Sequence, residues 1–219
     1  MSLTNKLFSL LGFAEPVTLK RFNSKNLLPE RLFLLSIGEQ VNADIQQALT
    51  ELKLAVFERS DDISEKSFDA LVIDATTYVD DNSYKNLYLI VQESLKYLAN
   101  NARILLITNK VSAQKSTEEN AFISALIGFI KSLAKEVGRK GSTANILFFD
   151  KKTINKETNN NISAALTSPL KFFLSAKSAF VSGQALTINN EQELVTQATD
   201  NLKSKKIAIV TGAAQGIGA

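Results

Sequence analysis

Apolar residues along the chain gather in short continuous runs, and between the runs they recur every three or four positions. The runs are Arg31 to Leu35 (RLFLL), Leu54 to Phe57 (LAVF), Ala70 to Ile73 (ALVI), Ile104 to Ile107 (ILLI), Ala144 to Phe149 (ANILFF) and Ala185 to Ile188 (ALTI). They are short, rich in branched and aromatic side chains, and predict strands. Helical spacing fills the intervals at Ala43 to Leu52, Asn82 to Leu98, Glu118 to Glu136 and Asn161 to Ser175. A strand without a polar face has to be covered on both sides. The alternation therefore predicts an α/β domain with a doubly wound, mostly parallel sheet, a Rossmann-like or flavodoxin-like arrangement of three layers.

The helix expected over Glu118 to Glu136 carries Phe122, Ala125, Leu126, Phe129, Ile130 and Leu133 on one stripe, and Ile123, Ile127 and Ala134 along a second edge. One stripe suffices for packing on a sheet. The wider apolar surface, with Gly128 and Ser132 permitting close approach, fits either burial on two sides within one domain or contact with a second helix across a symmetric dimer. Ahead of the sheet, Leu3, Leu7, Leu10 and Leu11 give residues 1–30 the character of an N-terminal arm, docked rather than anchored in a membrane. The domain proper is expected over 31–190. After it, the polar stretch Asn189 to Lys206 predicts a linker at 191–205, and 206–219 begins something new.

Composition narrows the chemistry. With no Cys and no His in 219 residues, a Ser-His-Asp triad, a cysteine nucleophile, a disulfide framework and a zinc site of the usual type are excluded, and no metal ligand set is expected. No apolar run reaches the ~18 residues of a membrane span, and the first residues lack the basic flank and cleavage site of a signal peptide. A cytoplasmic protein without membrane contact is expected. Its 25 Lys and Arg against 22 Asp and Glu leave a dispersed net charge of +3, too weak for a nucleic-acid partner.

In a doubly wound sheet, phosphates bind on the loop after the first strand. Here that loop is SIGEQVNAD, Ser36 to Asp44, with one glycine, Gly38, and bulky Val41 where close backbone approach is required. Glu39 and Asp44 would repel a pyrophosphate. Glu58 stands after the second strand, where a ribose-binding acid belongs, although a surface Glu is ordinary at a strand end. Thr108, Asn109, Lys110 and Ser112 crowd the end of the fourth strand as candidate anion ligands, or as ordinary loop residues. The Ser36 hydroxyl, with the N–H groups of the helix that follows, supports an alternative: a flavodoxin-like module holding a flavin or another nucleotide. A third possibility is a pure interaction domain.

The last residues, KKIAIVTGAAQGIGA, run from a strand-like segment into Thr211, Gly212, Gly216, Ile217 and Gly218. This TGxxxGIG spacing resembles the opening turn of the short-chain dehydrogenase/reductase family and is more specific than a lone GxGxxG. Three internal segments resemble the same family in degraded form: Asp69 to Ala75 (DALVIDA), Ile127 to Leu147 and Lys177 to Asn189. A degenerate reductase-like domain ahead of an intact reductase start resembles the high-molecular-weight 3-oxoacyl-acyl carrier protein reductases. LLGFAEPVTLKRF, Leu10 to Phe22, is similar to their leader at Pro16 and Arg21.

The resemblance implies an intact enzyme that reduces 3-oxoacyl thioesters of acyl carrier protein or CoA with NADH or NADPH, as a homo-dimer, in fatty acid biosynthesis. It implies that Thr211, Gly212, Gly216, Ile217 and Gly218 bind the cofactor there, in a catalytic domain cut short at Ala219. Carried over position by position, the family's catalytic serine falls on Asn109, its tyrosine on Glu119 and its lysine on Ile123. The asparagine of its NNAG segment falls on Asp74, and Val41 and Ala43 replace two glycines of its nucleotide turn. The chemistry requires a Tyr hydroxyl to donate a proton and a Lys to lower that hydroxyl's pKa. The 219-residue chain is thus expected to have no catalytic residues, no bound cofactor and no activity of its own.

Overall fold

The computed structural model describes residues 17–20, 28–58, 67–78, 80, 82–149, 162–188 and 214. The chain divides into two compact units, Met1–Asn189 and Asn190–Ala219. Within the second unit only Ala214 is described. The expected linker, and Thr211, Gly212, Gly216, Ile217 and Gly218 with it, lie outside the described residues, as do the amphipathic stretch Leu3 to Phe13, Pro16 and Arg21.

Each apolar run forms a strand: β1 (Arg31–Ser36), β2 (Ala55–Phe57), β3 (Phe68–Asp74), β4 (Leu98–Asn109), β5 (Thr143–Phe149) and β6 (Ala185–Ile188). The helices are α1 (Ala43–Glu51), α2 (Ser83–Ser94), α3 (Thr117–Gly138) and α4 (Ile162–Phe173). One sheet in the order β2-β1-β3-β4-β5-β6 joins the strands, and every pair is parallel. The architecture is a Rossmann-like α/β fold.

Side-chain alternation along the strands builds two core layers. Phe33, Leu35, Leu71, Ile73, Ile104, Leu106, Ile146 and Phe148 meet α2 and α3 through Leu87, Val91, Phe122, Leu126 and Ile130. Leu32, Leu34, Val72, Leu105, Ile107 and Leu147 meet α1 and α4 through Ile45, Leu49, Leu166 and Leu170. Both faces are dry, which is why the strands show no polar period in the sequence.

α3 buries Phe122, Ile123, Leu126, Ile130, Leu133 and Val137. Ile127, Phe129 and Ala134 rest half-buried on the same core, whereas Ala125, Gly128 and Ser132 are exposed. The second apolar edge is thus partly absorbed by its own domain, and the small-residue stripe stays open.

One boundary departs from the expected one. The helical pattern running to Leu98 stops at Ser94, a 3₁₀ turn covers Leu95–Tyr97, and Leu98 opens β4. The register against β3 then slips between Leu98, opposite Phe68, and Arg103, opposite Ala70. Within the slip Asn101 takes a left-handed φ of 64°. Tertiary bonds hold it: its N–H donates to Lys140 O at 2.8 Å, its Nδ2 to Thr18 O at 3.1 Å, and its Oδ1 accepts Lys20 N–H at 3.1 Å. Asn101 thereby fastens the N-terminal segment to the sheet. Gly141 faces this clasp at φ 68°, and a Cβ there would lie 2.8 Å from Asn101 Oδ1.

Candidate functional site: the crevice beyond β1 and β3

From β1 the chain leads through α1 to β2 on one side, while β3 lies on the other, so a crevice opens where the two connections diverge. Beside it a cleft of about 540 Å³ is lined by Ser36, Gly38, Glu39, Val41, Gln46 and Glu58 among others. This is the position at which folds of this type receive a nucleotide.

The chain's own polar groups occupy the crevice. Asp74, at the end of β3 and only 1% exposed, accepts the Asn42 N–H on Oδ2 at 2.7 Å and the Thr76 N–H on Oδ1 at 2.9 Å. Asn42 is the N-cap of α1, its Oδ1 accepting the Asp44 N–H at 3.0 Å, while its Nδ2 reaches Thr76 Oγ1 at 3.4 Å. The Ile37 N–H donates to Asp74 O at 3.1 Å. A carboxylate at a helix N-terminus is favoured by the same N–H groups and dipole that would hold a phosphate. Asp74 therefore stands near the place of the anion, with Asp44 in the first turn of the same helix.

The rest of the loop is equally committed. Ser36 Oγ donates to Gln40 O and accepts the Gly38 N–H, each at 3.1 Å, so the hydroxyl proposed for flavin binding closes a local turn. Gly38 lies so near Thr77 that an added Cβ would come within 3.2 Å of that side chain. The loops after β1 and β3 touch at this point.

The three positions carried over from the family also fall at the C-terminal end of the sheet. Asn109 ends β4, and its Nδ2 donates to Thr76 O. Glu119 sits in the first turn of α3, where the N-cap Ser116 accepts its N–H at 3.0 Å and Lys115 Nζ meets its carboxylate. Ile123, one turn on, is 2% exposed in the core. Of the candidate anion cluster, buried Thr108 donates to Ala75 O at 2.8 Å, the Lys110 N–H donates to Phe149 O, and the Ser112 N–H donates to Asn120 Oδ1. Among the described residues no group of three acids gathers to hold a metal, and no helix is long and apolar enough to cross a membrane.

Sequence reasoning missed Asn42 as the partner of Asp74. The Asn-Ala-Asp run opening α1 carries a legible N-cap signal. The bond to Asp74 spans 32 residues and leaves no local trace.

A second surface feature lies between α2 and α3. A groove of about 300 Å³ runs past Tyr84, Tyr88, Gly128, Phe129 and Ser132, with the rings of Tyr84 and Phe129 edge to face at 6.1 Å. Tyr88 and the adjacent Leu89 are half exposed, and a Cβ on Gly128 would meet nothing within 4 Å.

No protein-family model matches the sequence, and no curated protein does. Solved structures do match the fold. A short-chain dehydrogenase/reductase from Serratia marcescens superposes with a TM-score of 0.56 at 13% identity, covering 75% of this chain and 98% of its own. A short-chain dehydrogenase/reductase from Brucella melitensis, described as a glucose/ribitol dehydrogenase, gives 0.53 at 13% identity, with 76% and 97% covered. BdcA in complex with NADPH gives 0.50 at 15% identity, with 73% and 93% covered. Over about three quarters of its length, the chain has the fold of the short-chain dehydrogenase/reductases.

Proposed function

We propose that this chain is the noncatalytic N-terminal domain of an NAD(P)H-dependent 3-oxoacyl thioester reductase. In that reading Thr211 to Gly218 open the enzyme's catalytic domain, and the degenerate domain shapes the acyl-substrate entrance or supports assembly in the cytoplasm. The observation that carries the noncatalytic part is the Asp74 carboxylate held against the N-terminus of α1, near where a cofactor's pyrophosphate would sit. Asn109, Glu119 and Ile123, in place of Ser, Tyr and Lys, support it.

With acetoacetyl-CoA and NADPH or NADH, the purified chain is expected to give no absorbance change at 340 nm (the reduced nicotinamide band). Neither nucleotide should raise its unfolding free energy, whereas a true ligand at 100 times its Kd adds about 2.7 kcal/mol. Turnover by the purified chain would falsify the noncatalytic assignment. The 540 Å³ cleft is of ligand size and favours a second reading, a flavin or nucleotide module. A yellow preparation, or stabilisation by FMN, would establish that reading instead.

Homodimerisation belongs to the same proposal, through the open face of α2 and α3. Its support is a groove of aromatic side chains flanked by the bare backbone at Gly128. In sedimentation equilibrium, Tyr88→Glu is expected to weaken self-association at least about tenfold, which corresponds to about 1.4 kcal/mol. A monomeric wild-type chain at high concentration would remove this part of the proposal.

A further inference from the structure

Among the described residues, two buried side-chain polar atoms lack a hydrogen-bond partner, Nη1 of Arg103 and Oγ1 of Thr143. They are neighbours. Arg103 and Thr143 are register partners in the parallel β4–β5 pair, so their side chains leave the same face of the sheet roughly one strand spacing apart, ~4.8 Å. Two residues on from Arg103, Leu105 belongs to the α1/α4 core layer, which places both groups at the rim of that layer. This is the N-terminal edge of the sheet, opposite the crevice described above.

Arg103 is 4% exposed and lines a cleft of about 200 Å³ together with Lys20, Glu30, Asp69, Asn101 and Leu174. Its Nε donates to Ser175 O at 3.4 Å, just past the C-terminus of α4. That long bond and the negative end of the helix dipole offset only part of the desolvation of a guanidinium that stays charged in a protein. Burial alone pulls its pKa below the ordinary arginine value. The acids nearby do not neutralise it. Asp69 lies 3.8 Å from Lys20 Nζ, and Glu30 is exposed at the cleft wall.

We propose that this cleft binds a small oxyanion, a carboxylate or phosphate group, on the Arg103 guanidinium, the one buried cation in its lining. Water in the cleft supplies no charge to the buried cation, whereas an oxyanion does, and the planar fork of Arg suits two of its oxygens. The available volume holds a group of this size with a few waters, each occupying ~30 Å³. Glu30 repels the anion from the wall and sets its affinity.

Thermal unfolding of the whole chain, titrated with sodium phosphate or sodium acetate against sodium chloride at constant ionic strength, tests this, and the two arms distinguish the anions. The wild type should show a saturable rise in Tm with at least one of them. In Arg103→Met the apparent Kd should weaken at least about tenfold. Thr143→Val, outside the lining of the cleft, should leave it unchanged, and Glu30→Gln should tighten it. General exclusion of phosphate from protein surfaces raises all variants alike, so the difference between variants is the quantity read. Isothermal titration of Arg103→Lys, which keeps the charge and loses the fork, provides a second variant should Arg103→Met fold poorly; it too should bind more weakly. No specific rise in the wild type, or an equal rise in both Arg103 variants, overturns the site. So does a large loss of stability in Glu30→Gln without any response to anions, because the chain would then supply its own counter-ion.

Discussion

Asp74→Ala is expected to lower the unfolding free energy by about 3 kcal/mol, measured as a fall in the urea midpoint at unchanged slope. The carboxylate is 1% exposed and accepts two backbone N–H groups from different loops, Asn42 at 2.7 Å and Thr76 at 2.9 Å. Hydrogen bonds to a charged acceptor contribute about 1.5–3 kcal/mol each, and both donors would be left without a partner. Relief of the buried charge returns part of the loss, which sets the estimate at the low end of the ~3–6 kcal/mol the two bonds would contribute together. Asp74→Asn should fall in between, since its amide oxygen can serve one donor while its NH₂ faces the other. A loss below about 1 kcal/mol for the alanine variant would mean that water reaches these donors, and that Asp74 does not close the crevice. Opening the crevice should still not produce NADPH binding. Asp44 remains in the first turn of α1, and Gly38 still lies against Thr77.

The same residue shows how far the sequence carries. All six strands were legible because a parallel sheet covered on both faces demands unbroken apolar runs, and these stand out against the polar connections. Strand order was not legible, since alternation of strand and helix is the same for many orders. The start of β4 was hidden for a different reason. Leu98 to Ala102 reads LANNA, and the Asn residues argue against a strand until Asn101 is seen clasping Thr18, Lys20 and Lys140. At the candidate site the sequence showed which residue types stand there, an acid at Asp74 and an aliphatic at Ile123, because those are statements about single positions. What these residues do depends on partners far along the chain. Arg103 was passed over at the edge of an apolar run, though a charge entering a strand with two dry faces is itself a signal that something must meet it.

Ile123→Lys, which places an ammonium where the proposed resemblance aligns a lysine, is expected to destabilise the chain by about 4 kcal/mol or more at pH 7. Ile123 is 2% exposed on the face of α3 that packs on the sheet, beside Phe122 and Leu126. Removing it forfeits about 1.5–3 kcal/mol of apolar burial, and the ammonium then has to be buried or deprotonated. Ile123→Met, similar in volume and uncharged, should cost less than about 1.5 kcal/mol and serves as the control. The deficit of the lysine variant should also depend on pH in a defined direction. Burial depresses the folded-state pKa below the unfolded value of about 10.4, so between the two the unfolded chain binds more protons. Stability relative to wild type therefore recovers as pH rises from 7 toward 10, by up to about 1.4 kcal/mol per unit. An equally stable lysine variant with no such recovery would show a side chain reaching solvent, and hence a pocket still open at this position. The expected loss would show that the side chain at this position serves packing. Glu119, one turn earlier on the same helix, is engaged by Lys115 and by the N-cap Ser116.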